Sequence, residues 1–127
     1  MRSLHWASAC GLLWACAAEA PGAPATYTDV KAKVFVSCAF STCHKGASPA
    51  GGLSLEGDAR AQLVDKAASG VPGRKRVVPG DPGASYLMDK LTLTKPAVGD
   101  PMPPGGALEA ERIEMVRSWI AAGAQAD

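Results

Sequence analysis

Proline and glycine decide most of what this chain can become. Ten prolines and 14 glycines are spread through 127 residues, and many of them fall in blocks. The stretch 94–106, TKPAVGDPMPPGG, carries four prolines within nine residues. It cannot be helical, because proline lacks an amide donor and its ring clashes with the preceding turn. KGASPAGGLSLEG at 45–57 and VPGRKRVVPGDPG at 71–83 are punctuated in the same way. Loops of that length are uncommon in so small a domain unless something holds them in place.

Between these blocks lie four segments with helical spacing. Over 27–40, Val30, Val34, Phe35 and Cys38 recur at helix intervals, with Lys31 and Lys33 interleaved. Thr28 is the expected N-cap there, although Lys31 stands where a capping box wants an acid. Over 58–69, Leu63, Val64 and Ala67 share a face, and Gly70 supplies a stop. Over 85–93, Tyr86, Leu87, Lys90 and Leu91 form a third short helix. The strongest pattern covers 109–122, where Ile113, Val116, Trp119 and Ile120 make one stripe and Gly123 ends it. No segment alternates with period two, and RVVP at 76–79 is at most a strand stub. The expected fold class is all-α, in one domain. With only seven aromatic residues, its core is modest, and chains of this size commonly need a disulfide, metal or cofactor as a staple.

The N-terminus reads as an address. Arg2 precedes an apolar run over 7–18, too short for a membrane-spanning helix, which needs roughly 20 apolar residues, but proportioned as a secretory signal. Within it, LLWAC resembles a bacterial lipobox: Leu13, Ala15 and Cys16 match, and Trp14 is bulkier than the usual residue. Cys16 is therefore the expected lipidation site, with ordinary cleavage near Ala18 or Ala20 as the alternative. The expected organisation is a signal and lipobox region at 1–18, a Pro/Ala/Gly linker at 19–27 and the folded domain at 28–127. Export leads to an oxidising compartment, here the periplasm. Ala17, rather than aspartate, follows the lipobox cysteine, which favours an outer-membrane anchor. Removing Arg2 leaves acidic and basic residues balanced, so no net charge recruits nucleic acid.

After export the chain keeps one histidine, His44, directly behind Cys43 and close to Cys38, in CAFSTCH. Three chemistries compete for this cluster. Zinc wants three or four Cys or His ligands; a carboxylate such as Asp58 could complete the set, but adjacent Cys43 and His44 suit one tetrahedral ion poorly. A Cys38–Cys43 disulfide is permitted in the periplasm and leaves His44 unexplained. Covalent haem accounts for all three residues: two thioethers to the porphyrin, and the histidine behind the second cysteine as proximal iron ligand. The usual spacing is C-x-x-C-H, whereas here four residues separate the cysteines. A bulky flat ligand of this kind would also explain the long loops.

A second iron ligand can be sought independently. Met88 and Met115 sit in expected helices, where methionine usually fills core. Met102 lies between Pro101 and Pro103 in a polar loop, where packing offers it little purpose and proline limits the entropy lost on holding a sulfur in place. Among the basic residues Arg74, Lys75 and Arg76, the last is the candidate partner of a haem propionate, against the plainer reading of a solvated basic loop. Gly51 and Gly52 either bring backbone close to a porphyrin or simply turn the chain. Tyr86 and Leu87 are expected at the pocket wall or in the adjacent core.

CAFSTCHKG, PAGGLSLEG, RVVPGDPGASYLMDKL, MPPGG and LEAERIEMVRSWIAAGA occur in that order from Val34 to Ala124. Together they resemble the small class I c-type cytochrome domains of exported planctomycete and myxobacterial proteins that carry the longer C-x4-C-H spacing. The resemblance implies a helical fold around one covalent haem c, with the first and last helices crossing. It therefore predicts contact between Val34/Phe35 and Val116/Trp119/Ile120. It also implies a monomeric, monohaem electron carrier rather than an enzyme, with His44 and Met102 as axial ligands and redox proteins as weak, transient partners. Two other classes stand beside it: a haem sensor or assembly module with an open distal site, and a haem-free, disulfide-closed binding domain on a lipid anchor.

Overall fold

The computed structural model describes residues 22–93 and 95–127. The expectations for the signal, the lipobox and Cys16 lie outside these residues. Four α-helices carry the fold: α1 (Tyr27–Lys33), α2 (Ala59–Leu63), α3 (Tyr86–Thr92) and α4 (Ala110–Ala121). Two 3-10 turns, Phe35–Ser37 and Ala50–Gly52, sit between α1 and α2. No strand forms among the described residues; Val64–Val77, Ala67–Lys75 and Lys75–Ser85 make isolated bridges only. The chain is thus small and all-α, and none of its described helices is long and apolar enough to cross a membrane.

The first and last helices pack together, the contact that the resemblance implied. Val30, Val34 and Phe35 join Val116, Trp119 and Ile120 in a single buried cluster. Trp119, only 1% exposed, stands at its centre, with the Phe35 ring edge-on at 6.4 Å and the Tyr27 ring tilted at 5.8 Å. Its indole N–H donates to Gln125 O at 3.0 Å, so the polar end of the ring is satisfied while its body is buried. The Tyr27 hydroxyl accepts from Arg60 N at 3.0 Å, and Arg60 Nε donates to Ala124 O at 2.7 Å. These two bonds moor α2 to the α1–α4 pair.

The helix ends depart from the sequence expectations for local reasons. The N-cap of α1 is Thr26, not Thr28: its hydroxyl accepts from Asp29 N at 3.1 Å. Asp29 then occupies the position three residues on, where a capping box places an acid. Ala25 N donates to Ser118 Oγ at 3.2 Å, so the segment just before α1 is tied to α4. At the other end the α-helix stops at Lys33. Val34, at φ −114°, leads into a tighter turn that keeps Phe35 in the core and delivers Cys38 as its cap. Helix α2 is also shorter than expected. Val64 is extended and Asp65 has φ +57°, a left-handed conformation that no helix continues through. The terminal stop was legible: Gly123 at φ +97° follows α4, and Ala124 N returns to Trp119 O at 2.9 Å.

Removing the Trp119 ring leaves a cavity where α1 meets α4. Trp119→Ala is expected to cost about 3–5 kcal/mol, seen as a lower denaturation midpoint with α-helical circular dichroism lost in one transition.

The N-terminal turn of α1 also makes stability acid-sensitive. Lys33, with help from the Thr26 hydroxyl, holds the Asp29 carboxyl below its ordinary value, and hydrogen bonding to Thr28 does the same for Asp127. Both carboxylates are depressed on folding, so their contribution is present above the ordinary carboxylate range and is lost as pH falls through the folded values. Thermal midpoints of the parent and Asp127→Asn should therefore differ at about pH 6, the variant lying lower, and converge in acid only below the depressed folded value.

Candidate functional site

His44 is held at three points. Its backbone N–H donates to Cys38 O at 3.2 Å, and its carbonyl accepts from Leu55 N at 2.8 Å. Its ring Nδ1 lies 3.1 Å from Leu53 O. A carbonyl can only accept, so this bond places the proton on Nδ1 and leaves the Nε2 lone pair available as a ligand. The loop that supplies Leu53 and Leu55 is itself closed by Glu56, which accepts from Gly46 N at 2.9 Å and pairs with Lys45 at 3.5 Å. Ala50 N donates to Cys43 O at 2.9 Å, tying the cysteine segment to the same loop.

His44 lines a cavity of about 340 Å³, together with Leu53, Leu63, Tyr86, Leu87 and Met102. That volume falls within the range of small-molecule sites, and the wall is mainly apolar, as such sites usually are. Arg76, Lys90 and Asp100 bring charge to it. Met88 and Met115 belong instead to the core or pack against it; of the three methionines described, Met102 is the one on the cavity wall. Tyr86 and Leu87 both line the cavity, as expected for that helix.

Neither Cys38 nor Cys43 is part of the wall. Both are half-buried free thiols. Burial pushes the Cys38 thiol above its ordinary value, opposed by hydrogen bonding to the Ser37 hydroxyl and by Arg112. The surplus length of the C-x4-C loop turns outward: Cys43 N closes on Phe40 O at 2.9 Å, and Phe40 is 58% exposed. Among the described residues, no three His, Cys, Asp or Glu side chains stand together as a metal cluster.

Arg76 serves the protein's own backbone. Its guanidinium donates to Gln62 O at 2.9 Å, Gly51 O at 3.1 Å and Gly52 O at 3.3 Å, and partial burial lowers its pKa. Gly51 and Gly52 have φ +60° and +63°, so they turn the chain where a side chain would be strained, and Gly51 also lines the cavity. Lys75 pairs with Asp65 at 2.7 Å. Arg74 pairs with Asp89 at 2.7 Å and lies over the Tyr86 ring at 5.8 Å.

Sequence reasoning did not find the groups that hold the site. Leu53 and Leu55 act through backbone atoms, which leave no trace in residue identity. Lys90 donates to Val98 O at 2.8 Å and Asp100 O at 2.5 Å; desolvation lowers its pKa, against the opposing charge of Asp100. The Tyr86 hydroxyl accepts from Val98 N at 2.9 Å.

No family model, curated protein or solved structure matches the chain. The site therefore stands on its own chemistry. An imidazole with its Nδ1 proton committed and a thioether on the same apolar wall are a donor pair suited to a haem iron.

Arg76→Met keeps the stem and removes the three backbone bonds. It should speed hydrogen exchange at the Gly52 and Leu53 amides and lower stability by about 1 kcal/mol. Unchanged protection at both amides would show that the Gly51–Gly52 turn stands without Arg76.

Proposed function

We propose that the chain is a monohaem c-type cytochrome-like electron carrier, its haem c attached through Cys38 and Cys43, with His44 as proximal and Met102 as distal ligand. The observation that carries this reading is the oriented His44 ring, with Leu53 O at Nδ1, on the cavity that Met102 also lines. When bound, the haem supplies one-electron chemistry at iron. The chain's part is to hold and insulate it. Leu53 O keeps the His44 proton away from the ligating nitrogen and strengthens that nitrogen as a donor. Leu63 and Leu87 supply apolar wall, which together with a thioether ligand favours the reduced form. Two protein donors leave no coordination position for a substrate, so electron transfer rather than catalysis follows. Partners are redox proteins met through small, short-lived contacts.

The same reading sets the protein in the periplasm, anchored at the outer membrane by a lipid on Cys16, with the proline- and alanine-rich tether holding the domain off the surface. Its support is the sequence over 1–27.

The test is a pyridine haemochrome spectrum of protein exported from a host with a c-type maturation system, after washing with acidified acetone. About one retained haem per chain is expected, with a methionine–iron charge-transfer band in the oxidised protein. Met102→Ala should keep the haem and lose the band. Complete loss of haem from the parent would overturn the reading and leave a haem-free binding domain. Retained haem without the band in the parent would indicate a sensor with an open distal site.

A further inference from the structure

The loop that carries Met102 has little structure of its own. Prolines at 96, 101, 103 and 104 remove four amide donors, and Val98, Gly99 and Asp100 are exposed. Among the described residues, the hydrogen bonds that reach 95–106 all come from two residues one turn apart on α3. Tyr86 contributes its hydroxyl, which accepts from Val98 N at 2.9 Å and donates to Val98 O at 3.2 Å. Lys90 contributes its ammonium, to Val98 O and Asp100 O, and its own carbonyl, which accepts from Met102 N at 2.7 Å. The fit around that ammonium is close. Gly99 has φ +67°, and a Cβ built there would stand 3.3 Å from Lys90 Nζ. The tyrosine is itself braced by Arg74, which lies over its ring while paired with Asp89.

We infer that Tyr86 and Lys90 are positioning residues for Met102: together they clamp the loop to α3 and hold the thioether at the cavity wall, against its displacement by an outside ligand. This rests on the reading of Met102 as an iron ligand. A loop with few bonds of its own samples detached states freely, and each clamp removed raises the fraction of time the sulfur is away. A competing ligand then binds with an apparent affinity set by that fraction.

The experiment is a titration of the oxidised, haem-loaded protein with imidazole, followed through the methionine–iron band, for the parent, Tyr86→Phe, Lys90→Met and Tyr27→Phe. The last removes a hydroxyl that bonds Arg60 N in the core seam, far in sequence from the loop, and serves as a control for general loosening. Each of the first two variants should bind imidazole about fivefold more tightly than the parent, the equivalent of one net hydrogen bond, with haem content unchanged and Tyr27→Phe left at the parental value. Exchange at the Val98 amide should also quicken in Tyr86→Phe, a readout that needs no haem. If both loop variants bind imidazole as the parent does, or if Tyr27→Phe shifts as much as they do, the positioning role is wrong while the cytochrome reading stands. A parent without covalent haem would overturn that reading, and this role with it, at the pyridine haemochrome step before any titration.

Discussion

The seam between α1 and α4 is the contact on which the rest of the molecule depends. Isolated helices shorter than about 12–15 residues are marginal in water, and α1 has seven residues and α4 has 12. Neither has reason to persist without the other. Trp119 is the bulkiest fully buried side chain among the described residues, and the residues around it make the outward connections. Tyr27 and Ala124 moor α2 through Arg60, and Ser118 holds the strap before α1. Burial of one indole thus fixes the first and last helices against each other, and the loops between them hang from that frame.

What the frame leaves in the middle is too little regular structure to satisfy the loops by backbone ladders. Side chains and single backbone bonds take over. Ser85, fully buried, accepts from Val78 N at 2.9 Å and donates to Asp81 O at 2.7 Å, closing the VVPGDPGAS turn. Tyr86 N and Leu87 N, the first free amides of α3, donate to Lys75 O and Arg76 O at 3.0 and 2.9 Å; the preceding loop caps the helix in place of a side chain. Arg76 gathers the Gly51–Gly52 turn. Arg76, Tyr86 and Lys90, which fasten the Gly51–Gly52 turn and the Met102 loop, all line the cavity.

The parts legible in the sequence were those written in side-chain periodicity. The stripe of α4, its glycine stop and the short α3 all follow from spacing and turn chemistry, whereas the pairing of the Val34/Phe35 face with Trp119 was implied by the resemblance alone. Met102 was separable from Met88 and Met115 because the latter two fall on helical faces. The α1 cap was misread because two threonines, Thr26 and Thr28, were available, and the acid that decides between them, Asp29, pairs with the earlier one. The truncation of α2 was not legible: Ala67 continues the apolar face, and only the backbone at Asp65 breaks it. Least visible were the carbonyls of Leu53, Val98 and Asp100, since every residue carries a backbone carbonyl whatever its side chain.

That last point bears on the unusual spacing of the cysteines. If the position of His44 were set by the length of the loop back to Cys38, two added residues would displace the ring. Instead the ring is set from the other side, by Leu53 O at Nδ1 and by Leu55 N at the carbonyl. On the cysteine side a single bond, His44 N to Cys38 O, closes the loop at its base. Residues between the two anchors can be added without entering that bond, and the surplus goes where Phe40 is, into solvent. The ring orientation of His44 thus rests on Leu53 O and Leu55 N, contacts that lie outside the loop between the cysteines.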